Sequence, residues 1–246
     1  MKGVILAAGR GTRLLPLTAT CPKPMLPIAG RPLLEHVIRL LVAHGIDDLY
    51  INLHHLPESI CTYCGDGTRW GARIQYSHEP VLLGTAGAVR RLSSRLGNAP
   101  FLVYYADNLA NFDLHALYRA HVRAGAAATL GLLWMDEPST RGIVGLDEDG
   151  RIDRLIEKPR PGQVFADYLV NAGTYILEPE VITHIPASGY SDFAHHVFPA
   201  LLGRGVPLYG YSLRGQLLST DTPERYAQAQ ACVASGAFET PGRLSA

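Results

Sequence analysis

Apolar runs of strand length alternate with helix-period segments almost from the first residue, and that alternation admits few architectures. It is the pattern of βαβ units wound around a mostly parallel sheet. Val4–Ala8 reads as the first buried strand. Pro32 at a helix N1 position opens a helix over Leu33–His44, with Leu34, Val37, Ile38, Leu41 and Val42 on one face and Gly45 as its stop. Strands are expected at Leu49–Leu53, Ile74–Ser77 and Phe101–Ala106, which ends at Asp107. Helices are expected at Pro57–Tyr63, Ala86–Leu96 and Leu114–Arg123, and a long strand at Ala127–Trp134.

From Gly142 to Ile156 the pattern becomes short alternating strands around Asp147-Glu148-Asp149-Gly150, which reads as an antiparallel hairpin. Strands at Leu169–Leu177 and Pro207–Leu213 follow, with helical segments after Pro179 and around Phe193–Leu202. Thr222 as N-cap and Pro223 at N1 start the last helix. The expected fold class is α/β: three-layer and Rossmann-like, a mostly parallel sheet flanked by helices, with a smaller antiparallel subregion. No repeat, low-complexity block or long linker divides the chain, so residues 1–235 are expected to be one domain and 236–246 a frayed tail.

Composition excludes several classes of function. With 22 Lys+Arg against 22 Asp+Glu spread evenly over 246 residues, there is no basic face for nucleic acid. A chain with 47% hydrophobic and 18% charged residues buries roughly 70 to 75% of its unfolded surface, which argues against disorder. Four cysteines, Cys21, Cys61, Cys64 and Cys232, are too few for a disulfide scaffold and suit a reduced cytoplasm. The apolar run Val4–Ala8 is shorter than a signal-peptide core, and no apolar stretch approaches the roughly 18 residues of a membrane span. A soluble, cytoplasmic protein is expected.

The first strand runs straight into Leu6-Ala7-Ala8-Gly9-Arg10-Gly11-Thr12-Arg13, and Pro22-Lys23-Pro24 follows. A glycine-rich turn at the carboxyl end of a parallel strand lets backbone N–H groups approach phosphate oxygens that side chains would block. Arg13 and Lys23 would supply the charge. The spacing is neither the Rossmann G-x-G-x-x-G nor a Walker A loop. A Gly-rich surface turn with two solvated cations is the alternative on local grounds.

These residues, with Leu14, Pro16-Leu17-Thr18 and Met25, resemble the signature of the sugar-1-phosphate nucleotidylyltransferases. Further stretches resemble the family in the same order: Leu83-Gly84-Thr85-Ala86-Gly87-Ala88, Asp107 with Phe112-Asp113-Leu114, Glu157-Lys158-Pro159, Val170-Asn171-Ala172-Gly173, and Thr222-Pro223-Glu224 with Tyr226. Leu177-Glu178-Pro179-Glu180-Val181, Ile185-Pro186, Asp192-Phe193 and Phe198-Pro199 look closest to the mannose-1-phosphate guanylyltransferase branch. Members of that branch continue into a left-handed β-helix or another domain, and this chain is expected to lack one.

The resemblance implies attack of a sugar-1-phosphate oxygen on the α-phosphorus of a nucleoside triphosphate, with release of pyrophosphate. Such chemistry demands charge neutralisation and in-line positioning rather than a protein nucleophile. By resemblance, residues 1–135 mainly bind the nucleotide and 136–235 mainly the sugar phosphate. Leu6, Ala8, Gly9, Gly11 and Thr12 line the triphosphate, Arg13 holds it, and Lys23 bridges the phosphates as charge builds. Gly84 and Thr85 belong to the loop that meets the base. Glu79 precedes that loop, and a carboxylate accepting from guanine N1–H and N2–H would suit GTP. Glu157 and Asn171 would read sugar hydroxyls, Lys158 would pair with the sugar phosphate, and Gly173 would permit close approach. Taken alone, Lys158 could equally be a solvated hairpin lysine.

Asp107, at a strand end, is a candidate Mg²⁺ ligand, with helix capping as its bland alternative. The family has its second metal-binding aspartate where this chain has Ser219, and glycine where it has Asp221. Because side chains alternate along an extended segment, Asp221 could face the same side as Ser219 and substitute as a ligand, or it could only cap the helix. Cys61-x-x-Cys64 lacks a second ligand pair and is read as packing, and His54-His55 and His195-His196 lack H-E-x-x-H spacing and are read as polar surface residues or as residues that support a site from behind.

The sequence therefore points to a Mg²⁺-dependent nucleotidylyltransferase taking GTP and a sugar-1-phosphate. UTP, dTTP or CTP are the alternative donors, and a non-catalytic nucleotide-sugar-binding regulatory subunit is the rival class. Nucleic acid and membrane are not expected partners, and a homo-oligomer is compatible with this reading.

Overall fold

The computed structural model describes residues 1–135, 142–156 and 169–238, which fall into two compact units. The first comprises Met1–Leu82, Tyr104–Leu114 and Arg214–Ala246, and the second Leu83–Val103 and His115–Leu213. Among the described residues no helix is long and apolar enough to cross a membrane.

In the first unit the strands Lys2–Leu6, Asp48–Leu53 and Arg73–His78 are parallel, with Asp48–Leu53 in the middle. Val4, Ile5, Leu49, Ile51 and Leu53 have almost no exposed surface, as befits a sheet covered on both faces. The helix Leu33–Ala43 buries Leu33, Leu34, Val37, Ile38, Leu40 and Leu41, at the spacing the 3.6-residue period predicts. It begins at Leu33 as expected and ends one residue earlier. Arg31–Pro32 pairs antiparallel with Pro27–Ile28, which holds Pro32 extended as the N-cap instead of N1.

The first strand stops at Leu6 and not at Ala8, because the Ala7 N–H leaves the ladder and donates to the Asn52 side chain at 2.7 Å. Leu6, His54 and Glu79 thus sit where the three parallel strands end, at the edge where ligands bind in such sheets. A second element of this unit is a short antiparallel ribbon of Asn108–Ala110 and Leu217–Ser219 that the sequence pattern does not announce. Leu14, Leu26, Ile28, Leu33, Leu109, Tyr226, Ala229 and Phe238 form one apolar cluster, which fixes the last helix, Pro223–Ala234, in this unit.

In the second unit Ala128–Trp134 pairs antiparallel with Leu169–Leu177 and parallel with Leu208–Ser212. The expected hairpin is present as Ile143–Leu146 and Ile152–Ile156. Asp147 closes its turn by accepting from the Asp149 and Arg151 amides, and Gly150 supplies the positive φ of +80°. The helix expected over Ala86–Leu96 starts at Gly84 and divides at Leu92 into Gly84–Arg91 and Ser93–Leu96. Phe193–Val197 is a π-helical turn leading into Phe198–Gly203.

Candidate active site

The loop after the first strand is built around Gly11. Its backbone is left-handed (φ +62°), and a Cβ there would press on Thr18 Cγ2 at 3.0 Å and Lys23 Cβ at 3.1 Å. Thr18 Oγ1 donates to the Gly11 carbonyl at 2.8 Å, so glycine is required by the chain's own packing. Gly9 is different. A Cβ at Gly9 would meet nothing within 4 Å, so the protein leaves open the space in which a ligand could touch the backbone. Ala8 lies under the loop, buried, while Gly9, Arg10, Thr12 and Arg13 are exposed.

Lys23 sits in a single helical turn between Pro22 and Pro24 and is 7% exposed. Burying an ammonium is expensive unless it is paired, and its carboxylate is Asp107, with Nζ 3.5 Å from Oδ2. Asp107 occupies the turn between Phe101–Tyr105 and Asn108–Ala110. Its Oδ1 accepts from Asn108 Nδ2 at 2.8 Å, and its carbonyl accepts from Thr220 Oγ1 at 2.8 Å. Asn108 Oδ1 is buried without a hydrogen-bond partner.

Asp221 is enclosed by donors. Oδ1 accepts from Ser219 Oγ at 2.5 Å and from Arg225 Nη1 at 3.1 Å, and Oδ2 accepts from Arg13 Nη1 at 3.0 Å. Burial alone would raise this carboxyl, but the bonds from Ser219 and Arg225 and the charges of Arg225 and Lys23 outweigh it and bring the pKa down to about 2. The helix cap is Thr222, whose Oγ1 accepts from the Arg225 amide, so Asp221 does not have the capping role that the sequence leaves open.

Glu79, read from sequence as facing a base, is only 3% exposed, and its Oε1 accepts from Asn52 Nδ2 at 2.8 Å. Asn52 in turn accepts from the Ala7 amide, so Glu79 supports the start of the glycine loop through one intermediary. His54 Nδ1 lies 2.8 Å from the Glu79 carbonyl, and His55 Nε2 lies 3.0 Å from the Thr18 carbonyl.

The second unit holds the other candidates. Gly84 has φ +78°, and a Cβ on it would collide with the Ser191 carbonyl. Thr85 Oγ1 donates to Asp192 Oδ2 and accepts from the Phe193 amide, both at 2.9 Å. These two residues therefore clamp the segment Ser191–Phe193. Asn171 spans a bulge in its strand, accepting from the Gly173 amide at 2.9 Å and donating to Tyr175 Oη at 2.8 Å. Gly173 has the left-handed φ of +71° that the bulge needs. A small recess lies beside it, lined by Gly142, Ile143, Leu155, Asn171, Ala194 and Phe198. Glu157 and Lys158 lie outside the described residues.

Among the described residues, Asn52, Asn108, Thr220 and Arg225 contact the site and escape the sequence motifs. Asn52 carried a readable signal, a lone amide between Ile51 and Leu53 in an apolar strand. The cysteines are free, and burial pushes the Cys64 thiol up to about 12, which keeps it protonated and unsuited to a metal or to nucleophilic attack.

A parallel strand runs into a glycine loop with a buried lysine and a carboxylate beside it, the arrangement of an α/β protein with its candidate site at the strand ends. Residues 2–234 match the Nucleotidyl transferase family, and the chain belongs to that family. It is 36% identical over 87% of its length to the UTP–glucose-1-phosphate uridylyltransferase of Synechocystis, and 35% identical over 97% to the mannose-1-phosphate guanylyltransferase of Mycobacterium tuberculosis. It spans 58% of the length of the first and 66% of the second. Among solved structures, HddC from Yersinia pseudotuberculosis aligns with a TM-score of 0.81 at 22% identity, over 94% of this chain and 99% of that one. A UDP-glucose pyrophosphorylase complexed with UDP-glucose aligns at 0.82 and 21%, over 96% and 98%. The fold is the α/β nucleotidyltransferase fold that the sequence led us to expect.

Proposed function

We propose that this chain catalyses nucleotidyl transfer to a sugar-1-phosphate, with GTP as the donor. A phosphate oxygen of the sugar-1-phosphate attacks the α-phosphorus, the bond from that phosphorus to the bridging oxygen breaks, and pyrophosphate leaves. The observation that carries the reading is Lys23. It is a buried cation with a long ion pair to Asp107, beside a glycine loop that leaves room at Gly9. An ammonium so placed gains from anionic oxygens arriving near it, and gains most as charge accumulates on the transferring phosphates.

In this reading the backbone from Ala8 to Thr12 receives the triphosphate, Lys23 bridges its phosphates and Arg13 reaches it from the loop's exposed end. Asn52 and Glu79 keep the loop in register by holding the Ala7 amide. Glu157, Lys158, Asn171 and Gly173 are proposed to serve the sugar phosphate, with Lys158 supplying the charge.

Mg²⁺, when bound, would neutralise phosphate charge and constrain the triphosphate. Asp107 fits it: the carboxylate side chain is 43% exposed, and the buried Asn108 Oδ1 next to it lacks a hydrogen-bond partner. One carboxylate with substrate phosphates is a common Mg²⁺ donor set. Asp221 suits it less well: Ser219, Arg225 and Arg13 surround its two oxygens with donors, and its side chain is 16% exposed.

Guanylyl transfer is supported by the Mycobacterium relative, which matches over nearly the whole chain. Uridylyl transfer is a second reading, favoured by Glu79 being buried against Asn52 and by the Synechocystis relative. A pyrophosphate-release assay pairing GTP, UTP, dTTP and CTP with mannose-1-phosphate and glucose-1-phosphate decides between them. Release with GTP well above the others is expected. Nucleotide binding without release from any pair would instead mark a regulatory subunit.

A further inference from the structure

We infer that Asp221 is the resident counter-anion of Arg13, a positioning residue that the triphosphate displaces from the guanidinium. The inference rests on the reading of the Ala8–Arg13 loop as a triphosphate site. Its starting point is the asymmetry of the contacts around Asp221. Arg225, four residues on and in the first turn of Pro223–Ala234, and Ser219, two residues back, are neighbours in the chain. They stay with the carboxylate whatever the loop does. Arg13 comes from 208 residues away, has a side chain 70% exposed, and reaches Asp221 by one bond at 3.0 Å.

A single-point pair to an exposed guanidinium is weak, because water competes for the arginine and its long side chain must be ordered. A triphosphate offers Arg13 several anionic oxygens where Asp221 offers one, and phosphate suits the guanidinium fork better than a single oxygen does. The exchange costs little on the protein's side. When Arg13 leaves, Asp221 still accepts from Ser219 and Arg225, so no buried anion is left unpaired. Until then Asp221 holds Arg13 on the loop and restrains a long cationic side chain that would otherwise range through solvent.

Ser219 and Asp221, the chain's two departures from the family pattern, act together in one device. Ser219 donates to Asp221, and Asp221 in turn receives Arg13. A ligand role for Asp221 toward a metal predicts the opposite behaviour, which makes the two distinguishable.

The test is a double-mutant cycle read by binding, not turnover. GTP affinity is measured calorimetrically in EDTA for wild type, Asp221→Asn, Arg13→Ala and the double variant, and Mn²⁺ affinity by electron paramagnetic resonance. Removing the competing anion should tighten GTP binding about two- to five-fold, the scale of one exposed ion pair. In the Arg13→Ala background that gain should vanish, and Mn²⁺ binding should be the same with and without Asp221→Asn. The inference is overturned by weaker or unchanged GTP binding in Asp221→Asn, by a gain that persists without Arg13, or by a tenfold loss of Mn²⁺ affinity. Asp221→Ser, expected to behave with the same sign, provides a second variant should the amide impair folding. If wild type binds neither GTP, UTP nor inorganic tripolyphosphate, the phosphate-site reading fails and takes the inference with it. If it binds but shows no coupling, only the inference fails.

Discussion

Ser219 stands opposite Asn108 in the two-stranded ribbon, and that single register sets the electrostatics of the site. It puts Thr220 next to Asp107, whose carbonyl it satisfies, and delivers Asp221 to Arg13. Two acidic residues 114 positions apart in sequence, as 221 minus 107, thereby acquire different partners: a lysine for one, two arginines for the other.

Lys23→Ala should lower kcat far more than it weakens nucleotide binding, because the phosphates carry most charge in the transition state. A loss of about 2 to 4 kcal/mol in kcat/KM is expected, the range of one preorganised charge-stabilising group. Steady-state kinetics against equilibrium GTP binding provide the comparison. Wild-type turnover in this variant would remove Lys23 from the chemistry.

The two glycines of the loop should respond differently. Gly11→Ala forces a side chain into a left-handed backbone and against Thr18 and Lys23, so it should cost about 1 to 2 kcal/mol of stability in urea melts. Gly9→Ala meets no protein atom and should leave the midpoint unchanged, yet it should weaken nucleotide binding by filling the open approach. Equal stability and equal affinity in Gly9→Ala would mean that the ligand does not come near that backbone.

Much of this loop was legible beforehand. A compact apolar run ending in Gly9-x-Gly11 marks a strand and a backbone-lined turn, and helix Leu33–Ala43 follows from a 3.6-residue period. The ribbon was not legible, since Asn108–Ala110 and Leu217–Ser219 are three residues each and too short to show any period. Arg225 could be placed one helical turn from Asp221 by counting, but nothing local says that Arg13 completes the cluster. Glu79 shows the limit of analogy: the resemblance names the residue, but nothing in the motif says that its carboxylate accepts from Asn52.

Asn52→Ala should therefore act on both neighbours at once. It removes the acceptor of the buried Ala7 amide, at about 1 to 3 kcal/mol for an unsatisfied group, and takes away the hydrogen bond to Glu79 Oε1. A lowered thermal midpoint together with a raised KM for the triphosphate is the expected pair of results. Full activity in a destabilised protein would confine Asn52 to holding the sheet edge.

Lys158→Ala should raise the KM for the sugar phosphate while leaving triphosphate affinity nearly intact. One charge-assisted hydrogen bond is worth roughly 1.5 to 3 kcal/mol. Parallel losses for both substrates would assign Lys158 to another contact.

Asp221 has a folded pKa of about 2 against an ordinary 3.8, held there against burial by Ser219, Arg225 and Lys23. A depressed carboxyl stabilises the fold above its unfolded pKa, and that contribution is lost as pH falls through the folded value. Wild type should therefore exceed Asp221→Asn in stability by a constant amount from neutral pH down to about pH 5. Below that the gap should narrow, and it should close near pH 2. Solvent reaching the pair limits the gap to on the order of 1 kcal/mol. Urea unfolding of both proteins across this range reads the difference directly. A gap that stays constant down to pH 2 would show that the ionised carboxylate contributes nothing to the fold.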